Sequence, residues 1–318
     1  MAERAARAAF SVLTAFTLWM LYPAFAAAAP ERAIWTWEQA SFAMVRDRAA
    51  GEDAIAFLRA KHIRTLYLYA DAYNGENLLE TQPGLYRQFV ARLHQRGMRA
   101  YALLGSAYLH TEAYVLPQHR AEALAMFQRV LAYNAAAGDD ERFDGVNLDI
   151  EPHILDQWPA QKMQLLRQFL DLGAALMALK QASGQSLAVG PAIPFWLDGI
   201  ELDWHGATRP VSEHVLAIYD YAALMDYRDH ALGRDGIVSN AADEMASAER
   251  MRKRLVIGID VTPDEIQKVS FDHLAEADLE RELALAARAF RHNRAFAGFA
   301  IHHFRGYQQW LARTPVSP

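Results

Sequence analysis

The sequence predicts a single-domain α/β fold, a closed (β/α)8 TIM barrel. Short apolar runs alternate with longer helical patterns along the chain, the runs number eight, and no Pro/Gly/Ser-rich linker separates them. Strands that alternate with helices build a parallel sheet with crossover helices. Eight such units in roughly 290 residues fit a closed barrel better than an open sheet. With 318 residues, 53% of them hydrophobic, the chain can bury a sizeable core.

Residues 1–29 stand apart from that pattern. Arg4 and Arg7 precede the apolar run AFSVLTAFTLWMLYPAFAAAA, which ends in small residues suited to an A-x-A cleavage site near Ala26 to Ala28. The expectation is a cleaved signal peptide. An uncleaved anchor is the alternative, because the run is nearly long enough to span a bilayer. No later segment is long and apolar enough to span. Residues 30–318 are therefore expected to form the barrel, exported to the periplasm or the exterior, without stable membrane insertion after signal cleavage.

The expected strands follow in order: RAIWTW (32–37), IRTLYLYA (63–70), MRAYALLG (98–105), FDGVNLDIE (143–151), SLAVGPAIP (186–194), YAALMDYR (221–228), RLVIGIDV (254–261) and AFAGFAIHHF (295–304). Helical spacing fills most of the intervals. In PGLYRQFVARLHQRG, Leu85, Phe89, Val90 and Leu93 recur on one face and Gly97 closes the helix. The longer 161–184 segment does the same and stops at Gly184, and residues 278–293 lead into the eighth run.

Composition removes several function classes. There is no cysteine, which excludes disulfides, thiolate metal sites, cysteine nucleophiles and a lipoprotein-type signal. A net charge of −6 and the lack of a Lys/Arg run that would track a phosphate backbone argue against nucleic acid as a partner. In a barrel, chemistry sits at the C-terminal strand ends. Those ends supply Trp37 and Glu38, Asp71, Ser106, Glu151 with His153, Trp196, Tyr227 with Arg228 and Asp229, Asp260, and His302 with His303.

The fourth run is the informative one. Side chains alternate along a strand, so Val146, Leu148 and Ile150 pack outward while Gly145, Asn147, Asp149 and Glu151 point into the barrel. A charge taken out of water costs roughly several kcal/mol unless it is paired or neutralised. A fold has no structural need for such a column. Carboxylates at i and i+2 on one face couple, which raises one pKa and keeps an acid protonated near neutral pH, as glycosidic bond cleavage requires.

These residues carry a resemblance. DGVNLDIE (144–151) resembles the D-G-x-D-x-D-x-E signature strand of glycoside hydrolase family 18, the chitinase-like TIM barrels, with Asp144, Gly145, Asp149 and Glu151 matching on the fourth strand. The resemblance implies that Glu151 is the general acid and that Asp149 orients a substrate 2-acetamido group acting as nucleophile. Met225 and Tyr227 match the family's M-x-Y on the sixth strand, which implies that the Tyr227 hydroxyl holds the acetamido oxygen. The chain departs from the family at Asn147, where many members carry a third Asp and where an amide is expected to support Asp149. It departs again at His302, near the position of the usual sugar-flooring Trp. Trp35, Trp37 and Trp196 offer other aromatic platforms, and Asp71, Arg228, Asp260 and His302 complete the expected substrate contacts.

The expected partner is a carbohydrate, with no cofactor and no metal. His302 and His303 should point to opposite faces of a strand, and neither H-x-H on the first strand nor H-E-x-x-H occurs. Ser106 lacks a G-x-S-x-G elbow. The competing reading is a non-catalytic chitinase-like sugar-binding protein; retention of Glu151 favours an enzyme.

Overall fold

A computed structural model describes residues 30–313, so the expected signal peptide and the last five residues lie outside the described residues. The strands are β1 (Arg32–Thr36), β2 (Thr65–Tyr69), β3 (Arg99–Leu104), β4 (Gly145–Leu148), β5 (Ala188–Pro194), β6 (Glu201–Trp204), β7 (Ala207–Pro210), β8 (Tyr221–Met225), β9 (Arg254–Asp260) and β10 (Phe296–His302). Eight of them close a barrel in the order β1-β10-β9-β8-β5-β4-β3-β2, every pairing parallel. All eight fall where the sequence places them. β6 and β7 form an extra antiparallel hairpin between the fifth and sixth barrel strands. Its tip, His205-Gly206, has φ of 51° and 77°, the paired left-handed conformation of a type I′ turn.

Alternation sorts each strand into two cores. Ile34, Leu66, Leu68, Val146, Leu148, Phe299 and Ile301 face the helices, while Ala33, Trp35, Tyr67, Leu103, Tyr221, Ala223 and Ala300 fill the interior. The inward-facing rings run in a chain, Trp35–Tyr67–Tyr101–Tyr221, with centroids 5.2, 5.7 and 5.8 Å apart. Two glycines make room for them. A Cβ on Gly145 would lie 2.5 Å from the Tyr101 ring, and one on Gly190 would lie 2.7 Å from Tyr221. The glycine of the signature strand is thus a packing residue.

Asp144 is structural as well. It sits at the opposite end of the barrel from the mouth, where it accepts from the Ala100 amide at 2.8 Å and contacts His94 Nε2 at 2.9 Å, tying β3 to β4. Among the described residues no helix is long and apolar enough to cross a membrane.

Candidate active site

β4 is shorter than its sequence pattern. The hydrogen-bonded strand stops at Leu148, although the Asp149 amide still bonds the Leu104 carbonyl at 2.7 Å. Asp149 and Glu151 therefore stand just past the last rung of the sheet, at the C-terminal mouth. The inward direction of the strand persists through them: Asp149 is buried and Glu151 half-buried. A short 3-10 turn, Pro152–Ile154, follows, and Pro152 stops the strand from continuing.

Asn147 behaves differently from the expectation. Its amide does not support Asp149. The Oδ1 accepts from Trp35 Nε1 at 2.8 Å, while Nδ2 donates to the Tyr221 hydroxyl at 3.2 Å and the Gly190 carbonyl at 3.4 Å. It has no exposure at all. Its neighbours are one layer below the acids, so its hydrogen bonds are spent on the barrel interior and it makes no substrate contact. Trp35, offered by the sequence as a platform, is sealed in the same layer at 2% exposure.

The carboxylates above that layer are poorly compensated. The Asp149 carboxyl is pushed well above the usual range by burial, and then by the charges of Glu151 and Glu38. Burial also raises Glu151; nearby His302 opposes this and Glu112 reinforces it. Glu112 was missed in the sequence because it lies on an irregular 3-10 segment, Thr111–Val115, after β3, where no period points it anywhere. It is buried, with Oε2 lacking a partner and Oε1 3.3 Å from His110.

Tyr227 completes the group. Burial raises its hydroxyl well above the ordinary value, and the charges of Asp260, Asp149 and Glu151 add to that, so it remains a donor. Its ring stacks on His302 at 5.6 Å and 30°. His302 in turn lies 3.3 Å from Asp260 through Nδ1 and accepts from Trp37 Nε1 at 3.3 Å through Nε2. Asp260 is anchored by the Thr262 amide and hydroxyl, both at 2.8 Å. Trp37, Tyr227, Asp260 and His302, chosen from four different strand ends, are thus brought together around Asp149 and Glu151.

His302 and His303 do not diverge as a strand would make them. β10 ends at His302 and a helix begins at Phe304, so alternation no longer applies, and the two rings lie 4.9 Å apart. Burial, and then the charge of His302, push the His303 imidazole down to about 4. No group of three or more His, Cys, Asp or Glu side chains with metal-binding geometry occurs among the described residues.

A second wall stands beside Glu151. His153 Nε2 is 3.3 Å from Glu151 Oε2, and its ring meets Trp196 at 5.4 Å and Trp158 at 6.2 Å, both edge-on. Burial lowers the His153 pKa and holds the ring neutral. Trp196, half-buried, thus lines one hollow with Glu151 and His153.

Two expected contacts are occupied within the protein. Asp71 is buried and accepts from Arg129 at 2.5 Å and Asn77 at 3.0 Å. Arg228 pairs with Asp235 at 2.7 Å, donates to the Tyr227 carbonyl at 2.7 Å and lies 4.9 Å over the Phe195 ring. These partners come from elsewhere in the fold and give Asp71 and Arg228 the work of fixing loops; Arg228 fixes the one that carries Tyr227.

The chain resembles known proteins in its architecture. No family model matches it, and no curated protein does. Solved structures do. A family 18 chitinase from Cycas revoluta, in complex with (GlcNAc)3, superposes with a TM-score of 0.52 at 14% identity, covering 88% of this chain and 97% of that one. The class V chitinase from Nicotiana tobaccum gives 0.52 at 11% identity, with 89% and 97% covered. A chitinase from Chromobacterium violaceum gives 0.50 at 14% identity, with 90% and 98% covered. At such identities the match speaks for architecture, and it establishes that this chain has the barrel fold of the family 18 chitinases.

Proposed function

We propose that the protein is an exported glycoside hydrolase that cleaves a β-linked N-acetylhexosamine glycoside with retention, assisted by the substrate's own acetamido group. The observation that supports this is the Asp149–Glu151 pair at the mouth, the first buried and the second half-buried, each carboxyl pushed up by burial. Glu151, with its pKa raised, gives its proton to the glycosidic oxygen as the C1–O bond breaks. The acetamido carbonyl oxygen attacks C1 from the other face, and Asp149 receives the acetamido N–H. The Tyr227 hydroxyl donates to the acetamido oxygen. Water then opens the cyclic intermediate at C1, passing a proton to the Glu151 carboxylate and restoring the acid. Trp37 and Trp196 offer apolar faces to the sugar rings. That the Cycas revoluta chitinase was solved with (GlcNAc)3 supports a carbohydrate as partner. The N-terminal apolar run supports export to the periplasm or exterior.

The test is a screen of the purified protein on N-acetylated and non-acetylated glycans, beside Glu151→Gln. Wild-type turnover confined to acetylated substrates and lost in the variant is the expected result. Equal product release by both refutes Glu151 as acid, and activity only on sugars without an acetamido group refutes the assisted mechanism. Binding without turnover by both proteins is the outcome of the second reading, a sugar-binding barrel, which His302 in place of a flooring Trp favours.

A further inference from the structure

The end of the barrel opposite the carboxylates carries a charge pattern that this chemistry does not use. The chain as a whole is at −6, yet the loops that lead into β2, β3, β9 and β10 read KHIR (61–64), QRGMR (95–99), RKR (252–254) and RHNR (291–294). With β1 among them, these strands are consecutive around the barrel. The backbones of Arg32, Arg64 and Arg99 are bonded in sequence, the Arg64 amide to the Arg32 carbonyl at 2.8 Å and the Arg99 amide to the Arg64 carbonyl at 2.7 Å. These three line one concavity together with His62 and Pro30. Arg32, Arg99 and Arg254 line a neighbouring one of about 510 Å³, which Glu31 and Asp220 line as well.

Part of this charge is neutralised locally, Arg32 by Glu280, Arg99 by Glu31 and Arg96 by Glu52. Arg59, Arg64, Arg252, Arg254 and Arg294 are exposed and make no ion pair with the described residues. The other half of the same end is acidic, with Asp139, Asp140, Glu141 and Asp144 before β4 and Asp220 before β8.

We propose that the basic arc is a docking surface for an anionic lipid bilayer, on which the barrel rests peripherally with its mouth directed away. Two observations select a bilayer. The arc spreads over five neighbouring strands as a rim, which suits a broad surface better than a single strand of polyanion. The 29 residues that precede Pro30, with their apolar run, join the fold at this rim, because Pro30 shares its concavity with Arg32, Arg64 and Arg99. Left uncleaved, as the alternative to a signal peptide, this run would bring its bilayer to the arc; after cleavage the arc alone makes the contact. Basic side chains within about a Debye length of an anionic leaflet are attracted to it. The opposite end carries the carboxylates and no such basic arc, so the attraction holds the barrel by this end.

The test is flotation of the full-length chain with vesicles of neutral phosphatidylcholine or of phosphatidylcholine containing phosphatidylglycerol. The readout is the ratio of the two partition coefficients. The expected ratio at low salt exceeds about tenfold and collapses as salt is raised. Arg59→Gln combined with Arg64→Gln, Arg254→Gln and Arg294→Gln should bring the low-salt ratio to within a few-fold of unity, with thermal melting confirming the fold. A control that removes equal charge elsewhere, Lys162→Gln with Arg167→Gln, Arg234→Gln and Arg305→Gln, should keep it. A wild-type ratio near one or insensitive to salt overturns the proposal without any variant, and so does an equal fall in the control. If the arc variant loses heparin retention but keeps the vesicle ratio, the partner is a soluble polyanion and the bilayer assignment fails.

Discussion

Asp149 with Glu151 and Asp226 with Glu244 are two sets of carboxylates raised by burial on opposite sides of the barrel wall. The first pair opens on the mouth and is bordered by Tyr227 and His302. The second lies outside the wall, because Asp226 sits between inward-facing Met225 and Tyr227 and so points toward the helix Ala242–Met251 that carries Glu244. Both Glu244 oxygens and Asp226 Oδ2 lack partners, and neither residue has any exposure. Burial, with the charge of Asp198 next, pushes the Glu244 carboxyl up to about 9, and burial brings Asp226 to about 7 against the hydrogen bond from Asn240. A raised carboxyl pKa is therefore common to both. What separates a site from a packing fault is access: only the mouth pair can hand its proton to something that arrives.

Four substitutions break or sharpen that contrast. Glu151→Gln should have the largest effect, lowering kcat by about 10³-fold or more in an assay on an acetylated glycan, with no fall in melting temperature. Asp149→Asn should cost about 10²-fold in kcat and comparatively little in KM, because it acts on the transition state.

Glu244→Gln should reverse the pattern, with turnover unchanged within about twofold and stability at pH 8 raised by about 1–2 kcal/mol. The sign follows from linkage. A carboxyl whose folded pKa is raised to about 9 stabilises the fold fully below its unfolded pKa, and that stability is lost as pH rises toward 9. Melting temperature should thus decline between pH 5 and 9 in the wild type, and decline less in Glu244→Gln. The smallest effect is expected for Glu112→Gln. Glu112 raises the Glu151 pKa, so its neutralisation should move the alkaline limb of the kcat/KM profile to lower pH by less than about one unit, measurable by pH-rate analysis.

Most of the barrel was legible in the sequence because alternation and helical spacing are local signals. The hairpin β6–β7 was not, since its two strands are short and its turn, His205-Gly206, sits within an otherwise helix-flanking stretch. At the site, face was legible but depth was not. Trp35 and Trp37 share a face two residues apart, yet the first is sealed and the second reaches His302. Asn147 and Asp149 differ in the same way. Partners were also invisible: Asp71 meets Arg129, 58 positions along the chain, and only the closed fold brings them within 2.5 Å. Glu112 reaches the Glu151 neighbourhood from an irregular segment that no period describes.

The layer of Trp35, Asn147, Leu103 and Ala223 has a further consequence. With exposures of 2% or less, it is a floor that divides the interior into two compartments, the arginine-rimmed hollow below and the acid-lined mouth above. Asp149 and Glu151 stand on the mouth side of that floor, and under the proposed function a sugar chain lying across the opening covers their route to solvent. In the proposed reaction the proton on the pair is held beside the bond it is to break until the leaving group departs and admits the water that restores it.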